Sequence, residues 1–302
     1  MTTRLLRSGK VKDVYAVSDR ELEFVFSDRI SVFDKIIPSS IPHKGETLAR
    51  TSAYWFDVVE ALGVRTHYLR LTASNRMRVK RVRVIEDSQL LTSETRNYMI
   101  PLECILRHFV YGSLWDRLQG GDIGVEQLGF PRGHAVRLAE PLPRPFFEVT
   151  TKLETVDRPL TVDEALQLAG VTPAEFETLR RTTLRIDEAI ASRVTQGGLI
   201  HVDGKKEFAF DEERNLMVID AFGTADEDRF WDAAEYAQGR YVERSKEFVR
   251  QYYRRTGYHG ELMTARREGR DEPPIPPLPP AIIDEVSDIY IHLYEALTGQ
   301  PF

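Results

Sequence analysis

Residues 201 to 210 read HVDGKKEFAF, long enough for a full strand and split by the two-residue period into unlike faces. Asp203, Lys205 and Glu207 fall on one side, and Val202, Phe208 and Phe210 on the other. Such a strand needs a sheet with one packed apolar face and one face where a minus–plus–minus row finds partners. Charges buried without partners are costly. The run DEERN then supplies a turn, and LMVID returns as a strand ending at Asp220. Elsewhere strands and helices alternate without regular βαβ spacing, so the expected class is α+β rather than a doubly wound sheet.

The first hundred residues read as β-rich. GKVKDVYAV, SDRE and LEFVFS give strand, turn and strand, and THYLRL and RMRVKRVRVIE return to strand character. Between them GETLARTSAYWFDVVEALG has Leu48, Trp55, Phe56, Val59 and Leu62 at helical spacing, with Gly63 suited to its C′ position. Further on, Thr161 with Glu164 and Thr172 with Glu175 have capping-box spacing. Gly170 closes the first of these helices, and the second, with Pro173 at its first position, runs to about Gly197. PPIPPLPP reads as a ligand for an aromatic groove or, better, as a stiff connector to a closing amphipathic helix. The expected organisation is a β-rich lobe over 1–100 and a larger α+β lobe over 101–302, with a hinge near NYMIPLE where Pro101 interrupts an apolar run.

A net charge of −6 over 302 residues argues against a general nucleic-acid binder. No run approaches the ~18 apolar residues of a membrane span. Cys104 is the single cysteine, which rules out an internal disulfide and fits a reducing compartment. With no apolar leader core in MTTRLLRSGK, a cytoplasmic protein is expected. A homo-oligomer stays open.

Several charged positions have two readings each. Lys10 and Lys12 share one strand face after Gly9, and they suit either an anion or solvent. No G-x-x-x-x-G-K-[ST] loop occurs. RMRVKRVRV reads as a nucleic-acid groove or, more in keeping with the acidic balance, as a charged sheet edge. Arg107, Gly112 and Ser113 suit a phosphate pocket or local ion pairing, and Asp226 and Arg229 could pair or face a ligand. Glu207 and Asp220 on neighbouring strands could share magnesium, whose preference is for hard oxygen donors, or join a salt-bridge ladder. A turn centred on Glu213 pairs 207 with 219 and aims Asp220 away; a one-residue shift or a bulge would bring the acids together. Cys104 and the scattered histidines read as structural.

Taken together, SGKVKDVY, SDRISVFD, IPHKGETL, PLECILRHFVYGSLW, TTKLETVD, HVDGKKEF, IDAFGTADEDRFW and SKEFVRQY occur in the order seen in the SAICAR synthase family, which the chain resembles over almost its whole length. The resemblance implies an ATP-dependent ligase joining L-aspartate to carboxyaminoimidazole ribonucleotide in purine biosynthesis, with ATP between a β-rich and an α+β lobe. It implies ATP contacts at Lys10, Lys12, Met99 and Lys152, and magnesium at Glu207 and Asp220. Arg107, Ser113 and Arg229 would take the substrate phosphate, Asp203, Lys205 and Asp226 would line the nucleotide, and Asp34 would be an active-site acid. Ala221, Val156 before Asp157, and Glu227 depart from residues usual in the family, where Glu, His and Ser stand. A kinase-like phosphotransferase would need H-R-D-x-x-x-x-N and D-F-G, which are absent. A related ligase on another acid or amine, or a non-catalytic nucleotide binder, remains the alternative.

Overall fold

A computed structural model describes residues 4–154 and 157–302. Val156 therefore lies outside the described residues. The chain opens with β1 (Arg4–Ser8), β2 (Lys12–Ala16) and β3 (Glu21–Phe26), then a small hairpin of β4 (Arg29–Val32) and β5 (Lys35–Ser40). Helix α1 (Lys44–Ala61) and strands β6 (Tyr68–Ala73) and β7 (Arg76–Lys80) follow. The first sheet is antiparallel in the order β1-β2-β3-β7-β6, with α1 packed on β3, β6 and β7.

The second sheet begins at β8 (Tyr98–Phe109) and continues, past α2 (Ser113–Gly120), with β9 (Pro141–Thr151). Helices α3 (Val162–Ala169) and α4 (Pro173–Gln196) precede β10 (Leu199–Phe210), β11 (Leu216–Ile219) and β12 (Asp228–Asp232). Its order is β11-β10-β8-β9, and β12 also pairs with β10. β10 is the spine: one edge pairs with β8, while its first half meets β12 and its last four residues meet β11. The chain ends with α5 (Ala233–Tyr236), α6 (Glu247–Arg255), α7 (Tyr258–Glu268) and α8 (Pro280–Thr298). The α+β class and its β-rich beginning hold.

Local signals behave as their chemistry dictates. Both capping boxes form, with Thr161 accepting from the Glu164 N–H and Thr172 from the Glu175 N–H. The proline run is a docked connector. Ile275 and Leu278 are buried, and the Pro273 and Pro276 carbonyls accept from the Tyr258 and Tyr253 hydroxyls.

Three expectations need correction. β7 is not a sheet edge, because β3 and β6 flank it. Its arginines are matched across the strand instead: Arg78 pairs with Glu21 and Glu23, and Arg76 with Glu23. Lys10 does not share a strand face with Lys12, since β2 starts at Lys12 and Lys10 lies in the turn that the Gly9 N–H closes onto the Lys12 carbonyl. Pro101 makes no hinge. It lies within β8, where the pairing steps from Glu103↔Glu207 to Met99↔Ala209, an irregularity that accommodates a residue without a donor. Residue 100 thus falls inside a strand, and the sheets are separated by residues 81–97.

One core cluster runs from Phe24 and Phe26 through Trp55 and Phe56 to Phe208, Phe222 and Tyr290. α8 packs on α1, and the Trp55 indole donates to the Gly223 carbonyl at 2.9 Å. The N-terminal helix and the last helix thus brace the loop after β11. Replacing Thr172 by Ala removes a cap and should lower stability by about 1 kcal/mol. Urea unfolding reads this directly, and an unchanged midpoint would show that the cap contributes nothing.

Candidate active site

The face of the second sheet that carries the odd-numbered residues of β10 is built from polar groups. Opposite Asp203 stand Arg107 on β8 and Arg229 on β12; opposite Glu207 stand Glu103 and Ile219. A bulge between His201 and Asp203 breaks the strict alternation in the first half of β10. Val202 accordingly packs with Tyr111 and Trp231, away from the main core that holds Phe208 and Phe210.

The Asp-Lys-Glu row is part of a ladder of alternating charge. Lys205 Nζ lies 3.2 Å from Glu227 and 2.9 Å from Glu103, and Lys152 Nζ lies 3.4 Å from Glu103 and 2.5 Å from Glu207. Burial works against the Lys205 ammonium, yet Glu227, Glu103 and Glu207 hold its pKa well above the usual lysine value. For Lys152, too, burial is outweighed, by Glu207 and Glu103. Lys12, reaching in from β2, bonds to Asp220. There burial wins, although Glu207 and Glu227 oppose it, and the pKa falls to about 8.

The hairpin register is the one in which 207 faces 219. Asp220 nevertheless reaches the ladder, because its backbone leaves the strand at φ 62°. This left-handed step, uncommon for a residue with a side chain, re-aims the carboxylate that strict alternation would have sent to the far side. Beyond Glu207 the same face becomes apolar, with Met99, Ala209, Met217 and Ile219 clustered and Val82 against them.

At the other end lies a cleft of about 210 Å³ lined by Arg107, Ser113, Asp203, Lys205, Asp226 and Arg229, together with Glu227, Ser245 and Arg250. Arg107 bonds to Glu148 at 2.8 Å, to Asp203 at 3.2 Å and to the Ser113 hydroxyl at 3.1 Å. Arg229 bonds to Asp203 at 2.6 Å and lies 3.4 Å from Glu247. Gly112 allows this approach, since a Cβ there would fall 2.5 Å from an Arg229 nitrogen and the backbone φ is +57°.

The thirteen residues singled out in the sequence are therefore placed unequally. Lys12, Lys152, Glu207 and Asp220 meet at one end of the ladder, and the six substrate-phosphate and nucleotide residues share the cleft. Met99 stands in the apolar patch, but its N–H donates to the Arg83 carbonyl. Asp226 does not pair with Arg229. Its oxygens go to Lys44 at 2.9 Å and to the Tyr290 hydroxyl, and Lys246 and Lys44 overcome burial to hold its carboxyl below the usual range. Lys10 and Asp34 pair at 2.5 Å, both largely exposed. Of the departures, Glu227 belongs to the ladder and Ala221 is buried in the core.

Sequence reasoning missed Glu103, Lys44, Lys246 and Glu247. Glu103 could have been found, since it stands at period two from Arg107. Lys44 could not, because its partner lies 182 residues away.

The SAICAR synthetase family profile matches residues 5–265. A phosphoribosylaminoimidazole-succinocarboxamide synthase of Thermoplasma acidophilum is 50% identical over 297 residues, covering 98% of this chain and 99% of its own. That of Thermoplasma volcanium is 48% identical with the same coverage. Among structures, SAICAR synthase from Saccharomyces cerevisiae complexed with SAICAR aligns with TM-score 0.75 at 24% identity, covering 99% of this chain and 96% of that one. A SAICAR synthetase in complex with ADP aligns with TM-score 0.70 at 22% identity and 98% coverage of both chains. The chain belongs to the SAICAR synthetase family.

Proposed function

We propose that the two-ended polar face of the second sheet joins L-aspartate to the carboxylate of carboxyaminoimidazole ribonucleotide, converting ATP to ADP and phosphate and giving SAICAR. Family membership and relatives of that name make the chain an ATP-dependent ligase of purine biosynthesis. The observation that carries the finer reading is the layout of the face. An arginine–serine cleft lies at one end, two carboxylates beside an apolar patch lie at the other, and a charge ladder joins them.

In this reading Arg107, Ser113 and Arg229 hold the ribonucleotide phosphate, with Asp203, Lys205 and Asp226 along the nucleotide. Met99 and its apolar neighbours receive adenine, and Lys10, Lys12 and Lys152 meet the phosphate chain. Glu207 and Asp220 would hold magnesium. They fit it as hard oxygen donors, and the ammonium now against each, Lys152 on Glu207 and Lys12 on Asp220, would have to give way to the ion or to the phosphates. When bound, the ion supplies neutralisation of triphosphate charge. The imidazole carboxylate attacks the γ-phosphorus and the bond to ADP breaks, leaving an acyl phosphate. The aspartate amine, having lost a proton, then attacks the acyl carbon, and phosphate departs as the amide forms. The residues' contribution is alignment and charge, as phosphoryl transfer requires. Asp34, at the β4–β5 turn, is assigned to the cleft mouth without a chemical step. The two-lobe division and a cytoplasmic setting belong to the same proposal; among the described residues no helix is long and apolar enough to cross a membrane.

Incubation with ATP, magnesium, the carboxylated ribonucleotide and aspartate should yield SAICAR, with phosphate release that depends on aspartate. Phosphate released without amide would reject the ligase reading. Glu207→Gln should lower turnover on the order of 10²-fold or more with the fold intact by circular dichroism, and a fully active variant would refute the metal assignment. Lys12 carries its proton below about 8 and loses it above. Hence kcat/KM for ATP should fall on the alkaline side, and Lys12→Arg, which stays charged, should move that limb upward. A wild-type profile flat to about pH 10, where an ordinary lysine titrates, would separate Lys12 from the phosphates.

A further inference from the structure

The opposite face of the second sheet, beneath α4, carries a cluster that the proposed reaction leaves unused. His108 on β8, Asp187 on α4 and His201 on β10 each bring one ligand atom within 4.8 Å of the others. His108 Nε2 lies 2.5 Å from Asp187 Oδ2, and His201 Nδ1 lies 3.5 Å from Asp187 Oδ1. The His201 side chain is 1% exposed, and its Nδ1 has no hydrogen-bond partner. Its other nitrogen, Nε2, stands 2.7 Å from Asp228 Oδ2. An ionised carboxylate only accepts, so in the neutral ring Nε2 carries the proton and Nδ1 presents a lone pair. That lone pair faces a carboxylate oxygen, another acceptor, in a place closed to solvent. Two acceptors so placed call for a proton or a metal ion between them.

Lys206 does not supply it. Its ammonium is 3.0 Å from Asp187 Oδ1 and 3.3 Å from Asp228 Oδ2, and it leaves Nδ1 unpartnered. Asp187 and Asp228 against Lys206 leave one negative charge in the cluster, which attracts a further cation; a divalent ion would bring the cluster to one positive charge, which a bound hydroxide would cancel. Two imidazole nitrogens and a carboxylate form a borderline donor set suited to zinc or cobalt, unlike the all-oxygen pair at Glu207 and Asp220. The bond from His201 to Asp228 is the outer-shell carboxylate contact that fixes the tautomer of a metal-bound histidine. His108 is 23% exposed and offers a way in.

We propose that His108, Asp187 and His201 bind one borderline divalent metal that pins α4 to β8 and β10. The metal takes the Asp187 oxygen, and Lys206 stays on Asp228. The site stands whether or not the ligase reading does.

The test uses the full chain, stripped with a chelator and titrated with zinc by calorimetry and with cobalt by visible absorption. The expected result is one metal per chain, cobalt d–d bands that magnesium does not displace, and a higher Tm with zinc. His108→Ala, at the partly exposed position, should keep the circular dichroism of the parent, lose the bands and weaken zinc binding by about 10-fold or more. Absence of saturable zinc binding in the parent, or cobalt bands undiminished by His108→Ala, would overturn the proposal. Should His108→Ala fail to fold, His108→Gln replaces it under the same criteria.

Discussion

Two adjacent lysines on β10, Lys205 and Lys206, are aimed to opposite faces of one sheet, and each is neutralised by its own carboxylates. Lys205 meets Glu103 and Glu227, while Lys206 meets Asp187 and Asp228. For the fully buried Lys206, removing one partner typically costs 3–5 kcal/mol, on the order of the whole stability of a marginal domain, and the partly exposed Lys205 adds a weaker constraint. The strand is therefore pinned in register from both sides. A slip by one residue would move one lysine into the other's place and leave Gly204 or Glu207 in the vacated one, so that one set of acids would lose its cation. Everything placed on the polar face inherits its position from that constraint.

Where strand alternation alone would misplace a group, the backbone departs from it. Asp220 takes a left-handed conformation and so turns toward the ladder. Gly204 lets Asp228 close in, since a Cβ there would fall 1.9 Å from an Asp228 oxygen. Asp228 in turn accepts from the Gly223 N–H at 2.8 Å, in the loop that Trp55 also holds. Local strain and close approach at these positions are met by bonds from distant elements, which is the usual condition for keeping them.

What the sequence made legible follows the range of the physics. Caps, turns and the two-residue period are local, so α3, α4 and the existence of the β10–β11 hairpin could be read directly, whereas its register stayed open between the 207–219 pairing and a one-residue shift until the structure gave the former. The order of strands is not local. Nothing in RMRVKRVRV says that β3 will cover one of its edges, and its charge suggested an edge strand until Glu21 and Glu23 came opposite. For the same reason Asp226 looked like a partner for Arg229 at helical spacing, whereas Arg229 stands in the extended β12 and Asp226 in the turn before it, where it meets Lys44 from α1. The site residues themselves came chiefly from motif resemblance. Composition and spacing left each of them with an equally ordinary structural reading.

The cleft at the arginine end poses an electrostatic question that its own bonding answers. Arg107 shares Glu148 with Arg117, and Arg229 shares Glu247 with Arg250 and Arg254. Asp203 lies between Arg107 and Arg229. Within this arginine cluster five guanidiniums are thus set against three carboxylates, a local surplus of two, whereas over the whole cleft lining Arg107, Arg229, Arg250 and Lys205 are balanced by Asp203, Asp226, Glu227 and Asp228. Glu243, pushed up to about 7 by burial and by Glu247, removes only part of that surplus at neutral pH. A phosphate monoester carries about −1.5 to −2 at that pH, which in the proposed reading meets the local surplus of the arginine cluster. Because each arginine is already held by an acid, an entering phosphate finds the guanidiniums oriented and pays little to order them. In the proposed reading, the same acids that lower the gross attraction hold the guanidiniums in place for a phosphate at this end, while the lysines at the other end meet the longer phosphate chain.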